Sequence, residues 1–286
     1  MRGEIVMSLI KMNFRSDVLG LQTNVTVILP SCPPKPGQSG SAPDYYAPGM
    51  KFQTLWLLHG GGGDDSDWVN FTSVIRYAEA NQTAVVMAPA YNSWYVDMAH
   101  GNRFFTFFTE ELPMVCRAYF PLSGRREDNF IAGLSMGGNG AMRLGLKRPD
   151  LYNTVLCMSG VAPEPKEFQA PDGMFYKMSL SRGGPSTFEN VFGDLARLEG
   201  SEEDMYLVAR RNVDQGKTLP KFLFGCGGDD FALPGVKHAY EYLKNLGYDA
   251  QLEVIPGYGH EWDFWDLYVR KALNELLDLK RKPILP

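Results

Sequence analysis

The stretch Gly133-Leu134-Ser135-Met136-Gly137 constrains this chain more than any other. It fits G-x-S-x-G and lies between two segments of different character. Asp128 to Ala132 is largely apolar and reads as a buried strand, whereas Gly138 to Leu146 reads as a helix. A serine on a sharp strand-to-helix turn sits in strained backbone. Helix and strand then pass so close together that the flanking positions must be glycine. Such a turn lifts the Ser135 hydroxyl off the sheet and leaves a helix N-terminus beneath it.

Strands and helices alternate through the rest of the chain. Met12, Phe14, Val18-Leu19 and then Val25, Val27 and Leu29 flank Leu19-Gly20, which predicts an antiparallel hairpin at a sheet edge. Further strands are predicted at 54–58, 84–88, 154–158, 221–225 and 250–255, and helices at 67–80, 104–119, 236–246 and 262–279. Continuous apolar strands between amphipathic helices mean an α/β fold, a mostly parallel central sheet flanked by helices. The length suits a single domain over 1–286. Pro30 to Pro48, rich in Pro, Gly and Ser, reads as a surface loop. Val161 to Gly216 is too long for an ordinary βα connection and is expected to form a small, partly helical lid.

Composition excludes several classes. A net charge of -5 with no basic stripe argues against nucleic acid. No apolar run approaches the roughly 18–20 residues of a membrane span. The N-terminal residues lack the apolar stretch of a signal peptide, and Met7 is a possible alternative start. Cys32, Cys116, Cys157 and Cys226 include no C-x-x-C pair, so neither a disulfide framework nor a zinc site is expected, and Cys157 reads as a core residue. Together these predict a soluble, cytoplasmic protein, and they are compatible with a homo-oligomer.

A serine hydroxyl near neutral pH needs a base, a group that orients the base, and donors for the oxyanion. Of the four histidines, His59, His100, His238 and His260, only the last two follow Ser135. His238 falls inside a helical pattern. His260 lies in the loop after the last strand, at the sheet edge where such folds place their chemistry, and is the expected base. The acid is expected after the preceding strand, in Gly227-Gly228-Asp229-Asp230-Phe231, where spacing leaves both aspartates open. One oxyanion donor should be the Met136 amide and the other an amide of His59-Gly60-Gly61-Gly62-Gly63. A phosphate-binding reading of those glycines fails, because no Lys-Ser/Thr follows and no acidic partner stands at ribose spacing. Asp64-Asp65-Ser66-Asp67 lacks the Gly and Glu of a calcium loop and reads as a helix N-cap cluster. Asp97 to Gly101 reads equally well as a cleft wall or a plain loop. No metal or cofactor is needed by this set.

Four segments taken together resemble the "Putative esterase" family of α/β-hydrolases. They are Leu58 to Gly63 with Asp67-Trp68, Gly133 to Gly138, Cys226 to Phe231, and His260-Glu261-Trp262-Asp263-Phe264-Trp265-Asp266. That family includes tributyrin esterases, esterase D (S-formylglutathione hydrolase), feruloyl and acetyl-xylan esterases, and mycolyltransferases, and the tributyrin-esterase branch matches best. The resemblance spans nearly the whole chain and selects Asp230 as the acid and Gly61 as the first oxyanion donor. The esterase D branch carries a serine and a cysteine-bearing turn where this chain has His59 and the glycine run, which argues against glutathione thioesters. The resemblance implies a serine carboxylesterase acting on small-molecule esters, with Ser135, His260 and Asp230 as a triad. The alternatives are a carbohydrate esterase, an acyltransferase using the same acyl-enzyme, and an inactive fold used for binding. Trp94, Tyr95, Phe231 and Trp262 are expected to line an open cleft. The lid, with its runs Arg182 to Pro185 and Glu199 to Asp204, reads as too polar to build a long acyl tunnel.

Overall fold

The computed structural model describes residues 7–31, 46–171, 173–181 and 186–286. Cys32, most of the 30–48 loop and the 182–185 run therefore lie outside the described residues. One eight-stranded sheet organises the chain. Its strands are β1 Met7–Ser16, β2 Leu21–Pro30, β3 Thr54–Leu58, β4 Ala84–Met87, β5 Asn129–Leu134, β6 Thr154–Met158, β7 Lys221–Gly227 and β8 Ala250–Ile255, in the order β1-β2-β4-β3-β5-β6-β7-β8. The hairpin β1–β2 is antiparallel and pairs antiparallel to β4. From β4 to β8 all pairing is parallel.

The helices are α1 Asp67–Phe71, α2 Val74–Ala80, α3 Phe104–Thr106, α4 Leu112–Tyr119, α5 Met136–Lys147, α6 Met174–Ser181, α7 Ser186–Phe192, α8 Met205–Asp214, α9 Leu233–Asn245 and α10 Trp262–Lys271. They cover both faces. Successive residues of the central strands alternate between two cores: Leu55 and Leu57 with Phe130 and Ala132 on one side, Trp56 and Leu58 with Ile131 and Cys157 on the other. The first core takes α2 and α10 through Val74, Ala78, Phe264 and Val269. The second takes α4, α5, α8 and α9 through Leu112, Met142, Ala209 and Val236. This two-sided burial is why the strands carry unbroken apolar runs rather than alternating ones.

The helix predicted over 67–80 breaks at Thr72-Ser73. Thr72 is extended (φ -137°, ψ 172°), and its hydroxyl donates to the Trp68 carbonyl while accepting the Val74 amide at 3.1 Å. That local bonding competes with the helix ladder. Asp266 then fixes the break from across the layer, accepting from the Ser73 amide and the Tyr77 hydroxyl, each at 2.8 Å. Within the 161–216 segment, α8 packs on α5 as a layer helix. The Asn212 side chain donates to the Leu146 carbonyl at 2.7 Å.

Candidate active site

Ser135 occupies the turn between β5 and α5 with φ +51° and ψ -117°. A non-glycine residue in that region costs about 1–3 kcal/mol and persists only where its surroundings over-determine it. Here the Ser135 amide donates to the Met158 carbonyl at 2.8 Å, and its own carbonyl accepts from the Asn139 amide at 3.1 Å. The glycines follow from contact distances. A Cβ on Gly133 would stand 2.2 Å from the Gly137 carbonyl oxygen, and one on Gly137 would stand 2.6 Å from the carbonyl oxygens of Leu58 and His59.

The loops after β7 and β8 bring Asp230 and His260 to the same sheet edge. His260 Nε2 is 2.9 Å from Ser135 Oγ, and its Nδ1 is 3.0 and 3.1 Å from the two Asp230 carboxylate oxygens. A carboxylate accepts, so Nδ1 carries the proton and Nε2 presents its lone pair to the serine. Asp230 is buried. Burial opposes its charge, but hydrogen bonds, above all from His260 and including the Ala232 amide at 2.8 Å, hold its carboxyl below the ordinary value. Asp229 is exposed, with its amide donating to the Tyr258 carbonyl, and does not reach His260 by any hydrogen bond seen here. The imidazole is held between two rings, Phe231 at 4.4 Å and the edge-on Trp265 at 5.0 Å.

Met136 is the first residue of α5 and borders the cavity in front of Ser135. At that position its amide has no partner within the helix. Gly61 lies exposed on the loop after β3 and is not among the cavity-lining residues, while its neighbour Gly60 approaches the serine: a Cβ there would be 3.7 Å from Ser135 Cβ. His59 anchors this loop. Its Nε2 accepts the Ala90 amide at 2.8 Å, so Nδ1–H donates to the Gly60 carbonyl at 2.7 Å. Burial lowers its pKa in spite of the Gly60 carbonyl and nearby aspartates, which favours this neutral form. Tyr95 does not contact the cavity, contrary to expectation. It is fully buried against Phe108, and its hydroxyl donates to the His59 carbonyl at 2.9 Å. Tyr95 thus braces the glycine loop from below.

A cavity of about 240 Å³ opens beside Ser135 and His260. Trp94 and Phe231 line it, joined by Met174, Phe175 and Tyr206 from the segment after β6. Trp262 does not. It stacks on Phe71 at 4.9 Å and meets Trp68 and Trp265 edge-on, so it supports the ring that supports His260. The insertion is less polar toward the cavity than its sequence suggests. Trp94 is surrounded by Phe168, Phe175, Phe188 and Phe192, with ring centroids 5.4–6.5 Å away. In the run 199–204, Glu203 pairs with the buried Arg143 of α5, and Asp204 caps α8 by accepting the amides of Tyr206 and Leu207. The Asp204 cap is a local use of charge, whereas the Glu203–Arg143 pair joins distant segments and leaves no local pattern.

This arrangement has extensive counterparts among known proteins. The family described as "Putative esterase" matches residues 39–218. An acetyl esterase of Caldicellulosiruptor saccharolyticus is 31% identical over 276 residues, which is 94% of this chain and 97% of that one. The fluorophosphonate-binding serine hydrolase FphF of Staphylococcus aureus superposes with a TM-score of 0.79 at 29% identity, covering 95% of this chain and 99% of its own. An S-formylglutathione hydrolase (FrmB) of Staphylococcus aureus gives a TM-score of 0.77 at 29% identity, covering 96% and 100%. The chain belongs to this esterase family. It is a carboxylic ester hydrolase of the α/β-hydrolase fold.

The esterase's remaining candidates fall away from the cavity. His238 is on the surface of α9, 2.9 Å from a Glu164 oxygen. His100 is exposed, and its amide donates to the Asn190 carbonyl, so the loop 97–101 seats α7 rather than lining a cleft. Ser66 precedes α1 without a side-chain cap bond. Asp64 folds its own turn onto Ser66, and Asp65 accepts from Thr26, so the acidic run is a set of anchors rather than a cap. Among the described residues no group of three or more His, Cys, Asp or Glu could hold a metal ion, and no helix is long and apolar enough to cross a membrane. Cys116, Cys157 and Cys226 are free and buried.

Proposed function

We propose that the protein is a serine carboxylesterase that hydrolyses short-acyl esters through an acyl-enzyme. The carrying observation is the hydrogen-bonded line from Ser135 through His260 to Asp230 at the mouth of the cavity. Ser135 Oγ attacks the ester carbonyl as His260 Nε2 takes its proton. Asp230 stabilises the resulting imidazolium and keeps Nε2 aimed at the serine. The amides of Met136 and Gly61 receive the oxyanion. His260 returns the proton to the departing alkoxide. Water then attacks the acyl carbonyl, His260 again accepting the proton and then returning it to Ser135 Oγ as the carboxylic acid leaves.

Acyl size follows from the walls. A cavity of about 240 Å³ is below the roughly 300–1,000 Å³ of drug-sized sites, and the Trp94 cluster closes it. Phe231 is 59% exposed at the opening, which supports an alcohol half that extends into solvent. The test is a p-nitrophenyl ester series from acetate upward, with mass detection of the acyl adduct. The reading requires acetate and butyrate to exceed esters of ten or more carbons and the adduct to vanish in Ser135→Ala. A preference for long-chain emulsified esters would overturn the size assignment.

A further inference from the structure

Ser159 follows β6 directly, and two of its features are unfavourable taken alone. Its φ is +51°, a region that suits glycine, and its hydroxyl is fully buried without a well-aligned hydrogen bond. Pairing with β7 holds it there, its amide donating to the Gly225 carbonyl at 2.9 Å. Residues kept in such conformations mark places where the surroundings enforce a purpose. The hydroxyl is within reach of the Asp230 carboxylate and the Cys226 thiol.

Asp230 has a matching deficit. Its side chain is wholly inaccessible to water. Oδ1 accepts from the Ala232 amide at 2.8 Å and from His260, whereas Oδ2 has no backbone amide of its own and lies 3.1 Å from the shared His260 N–H. A buried carboxylate oxygen served that sparsely gains from a further donor, and the Ser159 hydroxyl is a stronger one than the neighbouring Cys226 thiol.

We propose that Ser159 is the positioning residue of Asp230, donating its hydroxyl to the carboxylate and fixing the plane in which it meets His260. This rests on the triad reading above. Among the described residues, His260 and Cys226 are titratable side chains that face the carboxylate. The Cys226 thiol is pushed up to about 12 by burial and by the Asp230 charge and so stays neutral at working pH. Removing the donor makes Asp230 more basic, which strengthens its hold on the imidazolium. The acid limb of kcat/KM must then move to higher pH.

Ser159→Ala and Ser159→Gly separate this role from a structural one. Glycine relieves the backbone strain, so its Tm should equal or exceed that of the wild type. Both variants should lose about tenfold in kcat on p-nitrophenyl acetate, and both acid limbs should rise by roughly half a pH unit. In an Asp230→Asn background, Ser159→Ala should cost nothing further. Activity within twofold of wild type with an unmoved limb would overturn the proposal, as would a full additional tenfold loss in that background. Failure of the triad reading looks different, because Ser135→Ala would then remain active.

Discussion

Replacing Asp230 by asparagine tests the site at its most constrained point. Both carboxylate oxygens lie 3.0–3.1 Å from His260 Nδ1, and Oδ1 is also committed to the Ala232 amide. An amide keeps the shape. It either turns its NH2 toward Nδ1, selecting the tautomer with its proton on Nε2, or presents a neutral oxygen that no longer stabilises the imidazolium. The wrong tautomer points a proton at Ser135 Oγ, 2.9 Å away, where a lone pair is required. The loss in a comparable triad is about 10⁴ in kcat, equivalent to about 5.4 kcal/mol of barrier. Steady-state hydrolysis of p-nitrophenyl acetate, with circular dichroism to confirm folding, measures it directly. Asp229→Asn should stay within a few-fold of wild type, because Asp229 is exposed. A loss below thirtyfold in Asp230→Asn, or a larger loss in Asp229→Asn, would refute the reasoning. Stability gives a second readout. The folded carboxyl lies below its ordinary value of 3.8, so it contributes stability above that pH and loses it as pH falls through the folded value. The asparagine variant should lack that acid-side dependence.

Four further outcomes follow from named contacts. Ser135→Ala should lower kcat by on the order of 10⁶ with an unchanged fold, and activity within tenfold of wild type would remove the nucleophile assignment. Tyr95→Phe should reduce kcat several-fold without changing acyl preference, because it loosens the His59 carbonyl and the glycine loop rather than the cavity; a changed chain-length profile would place Tyr95 in the cavity after all. Trp94→Ala should shift preference toward longer acyl chains while costing about 3–5 kcal/mol in chemical denaturation, and an unchanged profile would show that Trp94 does not bound the acyl group. Arg143→Met should destabilise by about 1–3 kcal/mol, since it removes a buried guanidinium that hydrogen-bonds Glu203 while Lys147 still pairs with that carboxylate, whereas Arg148→Met should cost about 0–1 kcal/mol; equal costs would contradict the burial argument.

The sheet and its serine turn were legible in the residues because both are local statements. An unbroken apolar run such as Leu55-Trp56-Leu57-Leu58 means burial on two faces, and Gly133 and Gly137 announce close packing. His260 was legible because it follows the last strand, and strand ends converge in a parallel sheet. Identity within a pair was not. Asp229 and Asp230 are equal to spacing, and only burial of one and exposure of the other separates them. Aromatic type likewise failed to report direction. Trp94 and Tyr95 are adjacent, both with positive φ, yet one forms a cavity wall and the other enters the core to hold His59. Trp262 shows the same, since a ring near the base in sequence can touch it or support the ring that does. The insertion hid its apolar side because Phe168, Phe175, Phe188 and Phe192 follow no single period and meet only around Trp94. The chain's own order determined where chemistry can stand, at the ends of strands. Which side chain faces the cavity was decided by packing, because contacts between distant segments leave no local trace in the residues that make them.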